Sequence, residues 1–163
     1  MHHSFEWPKA ENEGDERTFR HIREHGCSVV SIPWEEKKPP YVFSIGLFAN
    51  YGHPELILFG LRGESAHAIV NDIRDCVAAG HKFADGDMSD DILADSYKLC
   101  FWKVPFMAYP EYLGTAIWFY DKCPIPFPCL QVIWQDVNRR FPWEAECLPD
   151  VKEDQPLLKK MVS

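Results

Sequence analysis

A single α+β domain, built on a five-stranded antiparallel or mixed sheet covered by two to three helices, follows from three observations. Five short β-rich or wholly apolar runs, at 27–32, 41–47, 56–59, 99–104 and 129–134, are separated by proline and glycine punctuation. Between them lie segments whose apolar residues recur at helical spacing, most clearly over 65–79. The length, 163 residues, suits one substantial core and is short for two ordinary domains.

The elements follow in order. Residues 1–14 form a peripheral N-terminal arm, polar apart from two aromatics. Asp15 is placed to cap a helix over 15–25 that stops at Gly26, with Phe19 and Ile22 on one face and His25 in the last turn. The run 27–32 closes at Pro33, and 41–47 opens after Pro39-Pro40. The charged Glu35-Glu36-Lys37-Lys38 joins them as a solvent-facing hairpin loop. In the second run Tyr41, Phe43 and Ile45 alternate with Val42, Ser44 and Gly46, so large side chains share one face and smaller ones the other. The small face suits a packed helix or a ligand.

Leu56-Ile57-Leu58-Phe59 is wholly apolar and predicts a central strand. Gly60 to Gly63 turn the chain into the helix over 65–79, where Ala66, Ile69, Val70, Ile73 and Val77 fall three and four apart, with Ser65 as cap and Gly80 as stop. Asp85, Asp87, Asp90, Asp91 and Asp95 make 81–96 a solvated acidic loop. It has the Asp85-Gly86-Asp87 start of a cation loop without the ordered ligand series of a calcium-binding hand. The run 99–104 is a strand halted by Pro105. Pro110 opens a helix over 110–120 with Tyr112, Leu113, Ala116, Ile117 and Tyr120 on one face, and Gly114 weakens it. After the fifth strand the domain, 15–145, gives way to an acidic, lysine-bearing tail over 146–163.

Charge and composition narrow the function. A formal net charge of −8 disfavours nucleic acid and anionic lipid as partners. No apolar run approaches the ~20 residues that span a bilayer, and the expected compartment is the cytoplasm. The six cysteines contain no CxxC pair and no tight metal-ligand grouping, so no metal site is assigned.

His53, held between Gly52 and Pro54, is the single candidate acid or base, since an imidazole titrates near neutral pH; it also suits closing a turn. Ser44 lacks the GxSxG elbow of a hydrolase nucleophile and is read as a hydrogen-bonding group. Arg140, near Asp136 and Glu144, suits an anion anchor or a salt bridge. Tyr41, Ser44, His53, Trp134, Arg140 and Trp143 form the candidate ligand-binding set. No catalytic residue is assigned. His21 and His25 stand four apart on the first helix, His67 lies on the long one, and HExxH is absent. No GxGxxG or GxxxxGK[ST] cradle is present, which disfavours nucleotide folds built on them. A flavin held without a motif stays open, and the cofactor is unassigned.

Pro39-Pro40-Tyr41-Val42-Phe43-Ser44-Ile45-Gly46-Leu47, Gly52-His53-Pro54-Glu55-Leu56, Phe59-Gly60-Leu61, Gln131-Val132-Ile133-Trp134-Gln135-Asp136 and Arg140-Phe141-Pro142-Trp143 together resemble the bacterial domain-of-unknown-function family numbered 4262. The resemblance spans roughly residues 15–145. It differs at Gly26-Cys27, where the family usually has Gly-Trp, and at Gln135-Asp136, where it often has Pro-Asp. It implies a small cytosolic bacterial protein and carries no activity. The sequence therefore points first to a binding or interaction protein, such as an immunity or accessory protein whose acidic surface meets a basic partner. The second reading is a small-molecule-binding enzyme, flavin-dependent in one form, with its pocket at His53. Oligomerisation with a second copy is compatible with either.

Overall fold

In the computed structural model, which describes residues 4–35 and 38–161, helix α1 (Glu13–His25) opens the fold. Its cap is Asn12, whose side chain accepts the Asp15 N–H at 2.9 Å, so the helix starts two residues before the expected Asp15. Asp15 instead turns back to accept the Glu11 N–H at 2.9 Å. Gly26 ends the helix in the left-handed region, as its position predicts.

Strands β1 (Ser28–Ile32) and β2 (Tyr41–Ile45) form the expected antiparallel hairpin; Glu36 and Lys37 of its loop lie outside the described residues. β2 stops at Ile45 and not at Leu47, because Gly46, Leu47 and Phe48 turn their N–H groups onto Glu55 and begin a short helix, α2 (Leu47–Tyr51). The chain returns as β3 (Glu55–Phe59), antiparallel to β2 and buried throughout, in the central place its apolar run predicts.

Helix α3 (Gly63–Ala78) follows, with Ala66, Ile69, Val70, Ile73 and Val77 buried as expected. It starts before Ser65, with Arg62 at the cap position and no side-chain cap bond. Beyond it, Met88–Ser89 form β4, a two-residue strand inside the acidic loop, paired with β5 (Leu99–Lys103). The expected helix over 110–120 is broken into α4 (Tyr109–Tyr112) and α5 (Gly114–Phe119), because Leu113 leaves helical geometry to bury its side chain. Ile117, expected on the packed face, is exposed. β6 (Cys129–Trp134) and α6 (Pro149–Asp154) complete the chain.

Six strands, one more than expected, form one mixed sheet in the order β1-β2-β3-β6-β5-β4, in which the β3–β6 pair is parallel. Strand alternation sorts the core by face. Val42, Leu56, Leu58, Phe101, Leu130 and Val132 pack beneath α3. Tyr41, Phe43, Ile45, Ile57 and Phe59 meet α1, α4 and α5 on the other face. The small-residue face of β2 thus takes a helix. Phe5 and Trp7 of the N-terminal arm dock on Phe119. On β5 and β6, the face that continues the α1 side is covered by the chain beyond β6, through Phe141, Trp143 and Leu157.

The six α-helices among the described residues exceed the two to three expected, since α2, α6 and the α4–α5 break are short. None of these helices is long and apolar enough to cross a membrane. All six cysteines are free.

Candidate functional site

The block from Ser44 to Glu55 folds around a buried carboxylate. Glu55 is fully buried and accepts five hydrogen bonds. Oε1 takes Ser44 Oγ at 2.7 Å and the Leu47 N–H at 3.2 Å. Oε2 takes the Gly46 N–H at 2.9 Å, the Phe48 N–H at 3.2 Å and the Tyr120 hydroxyl. Ser44 Oγ also accepts the Leu56 N–H at 2.9 Å, and the Tyr120 oxygen accepts the Ala49 N–H at 3.1 Å. Both hydroxyl protons are therefore directed at the carboxylate. Burial pushes the Glu55 carboxyl up, while the bonds from Tyr120, Ser44, Gly46 and Phe48 oppose it. Burial, and after it the charge of Glu55, push the Tyr120 phenol far up and keep it a donor.

His53 is bound from both sides. Nε2 accepts the Phe83 N–H at 3.0 Å, so Nδ1 carries the proton and donates to the Pro54 carbonyl at 2.8 Å. The ring meets Phe83 edge-on, its centroid 6.0 Å away, and only 3% of the residue is exposed. Burial lowers its pKa and keeps it neutral. Its role in this fold is to fix the chain after α3 against the loop before β3. Those two segments enclose a cleft of about 610 Å³. Tyr51, Pro54, Val77, Ala78 and Phe83 give it apolar walls, and Asn50, His81 and Lys82 its polar groups.

The other sequence candidates lie elsewhere. Tyr41 is buried, donates to the Tyr112 carbonyl at 3.0 Å, and has its phenol pushed up to about 12 by burial. Ser44 is committed to Glu55. Trp134 Nε1 donates to the Phe59 carbonyl at 2.8 Å. Arg140 reaches Glu144 at 3.4 Å, and Trp143 stacks on Trp102 at 4.4 Å. Because β3 and β6 run parallel, the His53 loop before β3 and the Arg140 turn after β6 occupy opposite ends of the sheet. Of the six candidates, His53 alone lines the cleft.

The Arg140 turn is organised by Asp136, a residue with no expected role beyond a salt bridge. Asp136 accepts the Asn138, Arg140 and Leu148 N–H groups at 2.8 to 2.9 Å. Burial raises its pKa, but these bonds outweigh it and hold the carboxyl below the usual range. In the acidic loop, Asp85 takes the Lys103 N–H and the Lys159 ammonium, and Asp87 takes the Ala84 N–H. Among the described residues, no group of three or more His, Cys, Asp or Glu is placed to hold a metal ion.

Glu55 and Phe83 are the residues that sequence reasoning missed. The signal for Glu55 was an acidic residue heading a wholly apolar strand, a position that needs internal partners. Phe83 carried no such signal, since its role depends on a contact thirty positions away from His53.

No curated protein matches this chain, and no solved structure does. A family model described as Domain of unknown function (DUF4262) matches residues 21–148. That span runs from within α1 to Leu148, the residue before α6, and takes in all six strands, the Glu55 cage and the cleft beside His53. The chain belongs to the DUF4262 family.

Proposed function

We propose that this protein binds a small molecule in the cleft beside His53, with His53 shaping the site and not transferring protons. The cleft itself carries the reading: about 610 Å³, with mostly apolar walls and few polar groups, falls within the ~300–1,000 Å³ range of ligand pockets. The double hydrogen bonding of His53 supports a structural role, since neither ring nitrogen is left for substrate. Native mass spectrometry of the protein purified without added ligand tests the proposal. The expected result is a small-molecule adduct that is lost in Ala78→Trp, which fills the cleft from its exposed rim. A flavin would also colour the purified protein. If no adduct forms, and no member of a fragment library shifts the His81, Lys82 and Phe83 amide resonances, the cleft is not a ligand site.

Recognition of a basic protein by the acidic surface, as in an immunity or accessory role, is a second reading. Its support is the exposed group of Asp87, Asp90, Asp91 and Asp95 around β4. It ranks second because Asp85, Asp87 and Asp91 already hold internal hydrogen bonds.

A further inference from the structure

All five described histidines line concavities, and they divide between two places. His53 and His81 belong to the cleft above. His21, His25 and His67 meet at a separate pocket of about 350 Å³, where α1 and α3 approach each other across the edge strand β1. Arg74 and Asn71 of α3 complete its polar lining, with Cys27 and Val29 as the remaining lining residues. No carboxylate lines it, although the chain carries 25 acidic residues.

The donors of this pocket are incompletely used. The His21 and His25 rings lie 5.7 Å apart, centroid to centroid, and neither hydrogen-bonds to any described residue. His67 Nε2 pairs with Ser31 Oγ at 2.8 Å, which fixes that ring. Arg74 places three of its five N–H groups, two on Asp75 and one on the Asn71 carbonyl oxygen, and so fixes the Asn71 amide with its NH2 unpaired. Two carbonyls at the end of α1, those of Ile22 and Gly26, are occupied by the Asn50 amide.

We propose that this pocket binds the phosphate group of a small molecule. The warrant is the number of unused donors in a lining that holds no carboxylate. Two imidazoles, an amide and a guanidinium, drawn from two helices, suit an oxyanion with at least three outward oxygens better than a carboxylate with two. A divalent metal fits less well. The His21–His25 pair has metal-ligand spacing, but the described residues supply no third ligand. Burial also pushes the Cys27 thiol up to about 12, which keeps it from being a thiolate.

The test follows the histidine ring resonances of the whole protein in carbon–proton correlation spectra during titration with inorganic phosphate, and separately with acetate, at matched ionic strength. The expected result is saturable movement of the His21, His25 and His67 signals with phosphate, while His53 stays still. Acetate should bind at least tenfold more weakly. His21→Gln/His25→Gln, on the outer turns of α1, should lose at least tenfold in phosphate affinity, read from His67, with its circular dichroism unchanged. Linear, non-saturating shifts would overturn the proposal, as would equal affinity for acetate or undiminished affinity in the double variant. Should that variant prove unstable, His25→Gln alone, at an exposed position, carries the same comparison.

Discussion

Replacing Glu55 by glutamine keeps the side-chain volume but turns an amide NH2 toward groups that are themselves N–H and O–H donors. At least one backbone N–H or hydroxyl then stays buried without an acceptor. The expected loss is about 2–4 kcal/mol in urea unfolding, since charged hydrogen bonds contribute ~1.5–3 kcal/mol each and orphaned donors add desolvation. Unchanged stability in Glu55→Gln would mean that the cage is not held by charge. His53 gives a prediction with a defined sign. Its folded-state pKa is lowered below the ordinary 6.5, so the unfolded chain takes up the proton first as pH falls. The contribution of His53 is complete above about pH 6.5 and is lost as pH drops from there toward the depressed folded-state value. The stability difference between wild type and His53→Asn should therefore shrink across that window. A difference that stays constant from pH 7.5 to 5 would contradict the tie to Phe83.

The short helix α2 shows how one carboxylate redirects an element. The sequence from Tyr41 through Leu47 reads as a continuous strand because its large residues alternate, and this pattern is real as far as Ile45. What ends it is a contact ten residues on, which no local period encodes. The two-residue β4 was illegible for the opposite reason: it is too short to have a period, and exists only because β5 lies beside it. The five longer strands and the α3 face were legible, because each buries a repeat of apolar side chains long enough to be seen. Gly46 is the hinge of the redirected segment, at φ 123°. A Cβ there would lie 2.9 Å from the Gly26 carbonyl oxygen. Gly46→Ala should then cost at least about 1–3 kcal/mol from backbone strain alone, whereas Gly63→Ala, with open space around it, should be nearly neutral. Thermal unfolding of the two variants side by side measures the contrast.

At the scale of the whole molecule, the sheet is completed by chain that follows its last strand. The sequence reads 146–163 as a peripheral tail, acidic and lysine-bearing. Side-chain amides do part of the joining, and an amide leaves no hydrophobic signature. Gln155 of the tail bonds both backbone groups of Trp134, its Oε1 accepting the N–H at 3.0 Å and its Nε2 donating to the carbonyl at 2.9 Å. Gln131, from inside β6, answers in kind: its Nε2 donates to the Pro156 carbonyl at 2.7 Å and its Oε1 accepts the Leu158 N–H at 2.9 Å. Leu158 is fully buried in the same cluster as Phe59 and Phe119. Removing 149–163 would leave Gln131 without partners in the face of the sheet, and would uncover that cluster. Leu158→Ala should cost about 2–5 kcal/mol, the usual range for a buried leucine, and truncation after Leu148 should cost more, because it also removes the four hydrogen bonds of the Gln131 and Gln155 amides. Urea titrations of the truncated and full-length chains decide the matter. If the shortened chain unfolds at the same midpoint, the segment rests on a domain that is already complete. If it unfolds earlier or loses its cooperative transition, the folding unit extends beyond the residues the family model covers.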